Sequence, residues 1–539
     1  MKAGLGVVVA LLLGGSMAAA QERREAPSGS DQQPQAPSGG DQEPQAPPAT
    51  FSGSTTAIGE WRTDNHDGLN NNDDFGDLVI RHDLLLDGGD TRASLRIDQE
   101  GFARAPAGVD RRNESRIERV ALEATRSYRL GGGPLVEARG IVGDFYVQLG
   151  RGLALSLRRV DEVGIDVALR GGRVDLGVLG DRLGLTLLGG FTNVVNIEPT
   201  RLAHVDDPLD RIIGARLEGR PGRAVTLGTH VASVQSPDTR PGAASPDGTV
   251  NYGQSLDVAV GPAAIGLEVD GQRRRVFDTY DRGTALYAMA TAPAGPATLL
   301  AEFKHYDDFR RIQGEDRATG EAFYYSLPPT AERVDQEVLD NTDVTGGRLQ
   351  ADLKLDEEGS TAVYASGGIF RDRFFREWFS HDFGGIRQRW ASGAAFSASA
   401  GWRREWRFSA SDLTRSIMQA DFDGVLPLGS HLGLHGNARA DAVQEVLGRT
   451  FSYNRGNSLL EIDFYGKAAL GGGFEWDTQT IIPDVAHYFG FGVAKWRPSD
   501  AFVVQALGGS QRGGIRCVLG VCRWLPPFAG GRLDVTVRY

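Results

Sequence analysis

Three groups of residues in this 539-residue sequence are of types that do chemistry. His305 stands just before Asp307 and Asp308, and His381 directly before Asp382; such pairs imitate part of the relay by which hydrolases activate a hydroxyl. A relay is three partners held in space, which adjacency in sequence does not supply, so no catalytic residue is assigned and no enzyme is expected. The segment Asp64–Asp74 carries Asn65, Asp67, Gly68 and Asp74, oxygen donors at spacings faintly like a calcium loop. Thr63 stands where the acidic first ligand belongs, and the segment reads as a solvated loop. Cys517 and Cys522 are the only cysteines, and their flanks Arg516, Val518, Val521 and Arg523 add no metal ligand. No zinc spacing and no phosphate-cradling glycine loop is present. No cofactor and no metal follow.

The compartment decides how the cysteines are read. Residues 1–20 hold one charge, Lys2, then an uncharged stretch from Ala3, and end Ala18-Ala19-Ala20 before the polar Gln21. This is the pattern of a cleaved secretory signal peptide. Outside the reducing cytoplasm, Cys517 and Cys522 are expected to form a local disulfide. Residues 21–50 repeat one decapeptide, Ala26 to Gln35 and Ala36 to Gln45, and are rich in Pro, Gln and Gly. Such a segment has nothing to bury and reads as a solvated periplasmic tether. The acidic balance, 70 Asp and Glu against 58 Lys and Arg, disfavours nucleic acid as a partner. With no long apolar run beyond residue 20, a multi-span helical membrane protein is excluded.

From Phe51 to Tyr539 the dominant period is two, the signature of strands. Arg92, Ser94, Arg96 and Asp98 interleave with Ala93, Leu95 and Ile97; Arg348, Gln350, Asp352 and Lys354 with Leu349, Ala351 and Leu353; Glu461 and Asp463 with Leu460, Ile462 and Phe464. Alternation alone also suits a soluble sandwich. Connection lengths separate the two. Short breaks such as Asp87-Gly88-Gly89-Asp90, Arg220-Pro221-Gly222-Arg223 and Gly261-Pro262 take turns with long ones such as Asp64–Asp74, Asn196–Pro208, Gln235–Asn251, Phe277–Arg282, Asp307–Val344 and Val446–Asn457. Tight turns on one rim and long loops on the other are the mark of an antiparallel up-and-down transmembrane barrel. The breaks predict about 24 strands, with about 20 to 26 as the range. At a strand spacing of about 4.8 Å and a tilt of about 40°, about 24 strands give a diameter near 45–50 Å. Side chains alone do not fill such a lumen, so it carries water or the chain's own loops. Two stretches are candidates. Asp307–Val344 either constricts the pore, binds a ligand at the external mouth, or is a solvent-facing loop packed on its neighbours; Gly150–Asp166, apolar at Leu153, Leu155 and Leu157, either turns inward or extends the preceding strand.

The polar faces supply candidate lumen residues of both signs: Arg92, Arg96, Asp98, Arg348, Asp352, Lys354, Glu461, Asp463, Arg532 and Asp534. Mixed signs argue against strong ion selectivity, which needs a ring of one sign. Phe474, Trp476, Phe489, Phe491, Trp496 and Phe502 are expected to face lipid as interfacial girdles. At the end of the chain Leu533, Val535, Val537 and Tyr539 alternate with polar residues, which resembles the terminal insertion signal of outer-membrane barrels. Gly143–Gly152, Gly164-Ile165-Asp166, Leu169-Arg170-Gly171, the Pro328-Pro329 loop and Gly513–Pro527 are similar to segments of a largely uncharacterised porin-like outer-membrane β-barrel family of Gram-negative bacteria. The resemblance implies a barrel in the outer membrane, in contact with lipid and lipopolysaccharide and inserted by the barrel assembly machinery. It implies no substrate. The expected function is a channel for passive or loop-gated diffusion of small solutes; the alternative is a surface scaffold, or an assembly or export partner, without an open pore.

Overall fold

The computed structural model describes residues 49–539 except 64–73, 106–112, 130–132, 134, 161–163, 181, 198–204, 238–247, 277–278, 316–321, 330–341, 373–376, 408–412, 465, 481–485, 519–520 and 526. The expected signal peptide, residues 1–20, and nearly all of the expected tether, residues 21–50, lie outside the described residues.

Each long alternating run becomes one strand, because a period of two puts apolar side chains on one face and polar ones on the other. Twenty-four antiparallel strands form one closed barrel. Its first strand, Thr50–Arg62, pairs with its last, Phe528–Arg538, in register from Ser54↔Arg538 to Arg62↔Gly530. Closure removes both sheet edges, so the ladders satisfy the wall's backbone groups without water. The outer face is apolar: Leu349, Val142, Met418, Leu470, Leu460 and Ile369 are exposed. Buried polar side chains, among them Asp98, Glu118, Asn251, Glu268 and Gln272, alternate with exposed apolar ones and therefore face the interior.

Two long breaks read from the sequence are not loops. One strand runs to Val276 and its partner resumes at Thr279, and only Gly448 separates Gly433–Leu447 from Arg449–Phe464. Polar and glycine residues at these strand ends give them the composition of a loop. The remaining long connections stand where expected, and three fold into the barrel.

Candidate pore and its internal stopper

The segment between the barrel strands Leu135–Phe145 and Ile165–Val178 does not extend the wall; it turns inward. Val147–Leu149 and Leu155–Leu157 pair as a small hairpin whose tip is Gly150-Arg151-Gly152. Gly150 and Gly152 have φ of 59° and 95°, a left-handed backbone that suits glycine. A Cβ at Gly152 would also lie 2.8 Å from the Leu327 carbonyl. Leu153, Leu155 and Leu157, too apolar for solvent, are fully buried. The tip reaches distant wall. Arg151 N–H donates to Glu268 Oε2 at 2.7 Å, and Asn251 Nδ2 donates to the carbonyls of Leu153 and Ala154 at 3.3 Å. Those residues belong to strands Gly248–Val260 and Ala263–Val276, four and five places round the wall from Ile165–Val178. The segment thus runs along a chord of the lumen.

The long connection after Asp307 packs onto it. Phe309, Ile312, Phe323, Tyr325 and Ser326 are buried. Ser156 N–H donates to the Tyr325 carbonyl at 2.7 Å and Leu327 N–H to the Gly152 carbonyl at 2.8 Å. Tyr306 donates its hydroxyl to Pro329 O at 3.0 Å. The fully buried Tyr325 hydroxyl donates to Asp210 Oδ2 at 2.6 Å; burial first, then the Asp210 charge, push its pKa well above the ordinary value, so it acts as a donor. Asp210 ends a third inward connection. There Glu118 accepts the N–H groups of Asn196 and Ile197 at 3.0 and 3.2 Å, and Ile197 is buried with Ile58 and Val79 of the first two strands. Asp207 accepts Val194 N–H at 2.9 Å, while burial raises its pKa. The three connections form one body. Two apolar clusters hold it: Leu149, Leu155 and Leu157 with wall residues from Ile141 to Val234, and Leu153 with Tyr287, Tyr306, Phe309, Val344, Phe370 and Phe379.

The charged residues singled out from the sequence are mostly tied into ion pairs. Asp98 takes Arg96 at 2.8 Å and Arg81 at 3.0 Å, and Arg96 continues at 3.4 Å to Asp166, which also takes Arg119 at 2.6 Å. Arg348 pairs with Glu302, Asp352 with Arg387 at 2.8 Å, and Arg532 with Asp534 at 2.9 Å. Arg92 is exposed, 3.9 Å from Asp87 near the short-turn rim, and Lys354 is exposed at the end of its strand. Glu461 and Asp463 are half-buried across the ladder from His435 and Gly433. Opposite signs adjoin along the wall, so these residues form no ring of one sign.

At the seam Tyr539 exchanges backbone hydrogen bonds with Gly53 at 2.8 and 2.9 Å and stacks on Phe51, centroids 6.2 Å apart. Leu533, Val537 and Tyr539 are exposed and Val535 half-exposed, on the face opposite Asp534. Cys517 and Cys522 are directly opposed in the hairpin Gly514–Val518 with Val521–Leu525; their side chains lie outside the described part. So does most of the Asp64–Asp74 loop. His305 bonds Thr345 Oγ1 at 2.7 Å. His381 is buried and Asp382 exposed, since neighbours on a strand face opposite sides. Phe489 and Phe491 are buried on the same face as Glu475, whereas Phe474, Tyr488 and Trp496 are exposed. The lipid-facing reading of the first two is corrected. Gly473 opposite Phe491 leaves the room into which that ring folds.

A closed wall, apolar outside and polar within, settles the architecture. It is a closed antiparallel β-barrel of twenty-four strands with an apolar outer face. No protein-family model and no curated protein matches the sequence. Among solved structures the chain is similar to the P pilus usher (PapC) translocation pore at 8% identity and TM-score 0.39, covering 90% of this chain and 99% of that one. It is similar to the siderophore receptor PirA from Pseudomonas aeruginosa at 9% and 0.44, covering 91% and 80%. OccK3 (OpdO) of Pseudomonas aeruginosa matches at 11% and 0.40, covering 75% and 96%. At such values the likeness adds nothing to what the strand ladders themselves show.

Proposed function

We propose that the mature chain is an outer-membrane channel for passive diffusion of small solutes, with access set by its own inward-folded connections. The observation that carries this reading is the three-part body on the inner wall, joined through Tyr325 to Asp210 and through Leu327 to Gly152. A body held to the wall by a few hydrogen bonds and two apolar clusters has a docked and an undocked state, which is what a gate requires. The ten charged residues from Arg92 to Asp534 line the lumen in this reading and stiffen it through their pairs. Residues 1–20 direct export and are removed; residues 21–50 remain as the tether. Lipid and lipopolysaccharide surround the wall. Tyr539 with Leu533, Val535 and Val537 presents the insertion signal to the barrel assembly machinery. Cys517 and Cys522 form a disulfide, so neither alkylates before reduction.

The test is swelling of liposomes that contain refolded residues 21–539, in isotonic sugars of graded size. Small sugars are expected to enter and larger ones to be excluded. If heat-modifiable, folded barrel admits none of them, the channel reading fails and the scaffold or export reading replaces it.

A further inference from the structure

The stopper's tip covers a side-chain cluster that transport does not require. His230 lies on strand Val225–Gln235, and Glu268 and Asp270 lie on Ala263–Val276. One strand, Gly248–Val260, runs between them, and its residue at the crossing is Gly253, in register with both His230 and Asp270. A Cβ there would fall on the Asp270 carboxylate. Glycine therefore lets side chains two strands apart meet over the wall. His230 Nε2 is 2.9 Å from Asp270 Oδ1 and 3.9 Å from Glu268 Oε1, and one ligand atom from each residue lies within 4.8 Å of the others.

All three residues are at most 3% exposed. Three of their polar atoms, Glu268 Oε1, Asp270 Oδ2 and His230 Nδ1, have no hydrogen-bond partner. Among the described residues the imidazole is the only base at ion-pair distance from either carboxylate. The nearest arginine does not serve: Arg151 gives Glu268 its backbone N–H and sends its guanidinium to Asp257 and over the Tyr287 ring. Gly150 completes the cradle, since a Cβ there would meet the Glu268 carboxylate. Two buried carboxylates with unused oxygens, beside one imidazole, are costly unless a proton or a cation joins them, and three converging ligand atoms suit a cation.

We propose that His230, Glu268 and Asp270 bind one divalent transition-metal ion of the zinc type, which fastens the Gly150–Arg151 tip to the wall. A dication balances the two carboxylates with the imidazole neutral. Nitrogen plus carboxylate ligation suits zinc and its neighbours, whereas calcium and magnesium take oxygen alone. Nε2 hydrogen-bonds Asp270 Oδ1 at 2.9 Å in the metal-free protein; on binding, the ion replaces that hydrogen, and the unpartnered Nδ1 is able to carry the ring's proton instead. Three protein ligands leave a further position for water or the second Glu268 oxygen. The inference stands apart from the channel reading, because binding is measured on the protein itself.

The experiment uses refolded residues 21–539, stripped with a chelator and dialysed against zinc ions, with bound metal measured by mass spectrometry. Cobalt is substituted for its visible spectrum. One equivalent per chain and a low-symmetry cobalt spectrum are expected. Losing an outer partner of a metal site costs about 10–100-fold in affinity, so E268Q and H230A, each losing a ligand, are expected to bind at least about 100-fold more weakly. His431→Ala, at an exposed turn, leaves binding unchanged. Heat-modifiable migration shows which variants have folded. No stoichiometric metal on folded wild type overturns the proposal, as does wild-type affinity in folded E268Q. If neither variant folds, a cobalt spectrum of all-oxygen octahedral ligation in the wild type overturns it. Swelling assays read the channel separately, so either reading can fail alone.

Discussion

Leu153→Ala isolates the stopper from the barrel. Leu153 is fully buried among Tyr287, Tyr306, Phe309, Val344, Phe370 and Phe379, and a buried Leu→Ala change costs about 2–5 kcal/mol. The ladders of the wall do not depend on that contact, so the cost falls on the docking of the stopper. At about 1.36 kcal/mol per tenfold, the undocked population rises between about 30-fold and several thousandfold. Amide hydrogen exchange reads this directly. Ser156 N–H is bonded to Tyr325 O and Leu327 N–H to Gly152 O, and both are released only when the hairpin and the long connection separate. Their protection is expected to fall by that factor, whereas amides of Gly433–Leu447, paired with Arg449–Phe464, keep theirs. Unchanged protection at Ser156 and Leu327 in folded barrel refutes the reasoning. An equal loss in the wall strands refutes it too, because the stopper and the wall would then be one cooperative unit.

Three further outcomes follow from particular contacts. Tyr325→Phe removes the bond to Asp210, and since a hydrogen bond to a charged group contributes about 1.5–3 kcal/mol, the same two amides exchange about tenfold to 150-fold faster; no change would place the joint elsewhere. Asp356, in a short turn, has its pKa lowered from 3.8 to about 2 by hydrogen bonds from Thr361 and Ser360. A depressed carboxylate stabilises the turn above its ordinary value, and that contribution disappears as pH falls from 3.8 towards about 2. A carboxyl carbon titration in micelles is expected to show a midpoint near the lower figure, and one near the ordinary value contradicts the turn. At the seam a Cβ on Gly53 would lie 2.8 Å from the Tyr539 ring and 3.0 Å from the Asp83 carbonyl. Gly53→Val therefore lowers the yield of heat-modifiable barrel on refolding, whereas Ser52→Val, one residue away and facing the other side, leaves it near wild type.

The barrel was legible because lipid on one side and a polar interior on the other impose a period of two on every strand. The strand number was legible because tight turns and long loops alternate. Legibility ended where those causes end. At 276–279 and 447–449 the strands run on through residues of turn-like composition, which read as loops. Phe489 and Phe491 read as lipid-facing because aromatics dominate girdles, yet the glycine at 473 gives an inner ring a place to lie. Leu153, Leu155 and Leu157 announced an anomaly without its direction, which depends on Asn251 and Glu268 about a hundred residues on. The His230, Glu268 and Asp270 cluster was invisible for the same reason. Glu268 and Asp270 look like any polar face, and only the register through Gly253 brings His230 to them.

Single-channel conductance in a planar bilayer reads the pore and its stopper together. Refolded residues 21–539 are compared with a variant in which 308–343 is replaced by a short Gly/Ser linker between strands that pair at His305↔Thr345. Small, fluctuating steps are expected in the intact chain and larger, steadier ones once the connection is gone. Identical steps in both proteins would contradict the stopper, and no steps in either folded protein would contradict the channel.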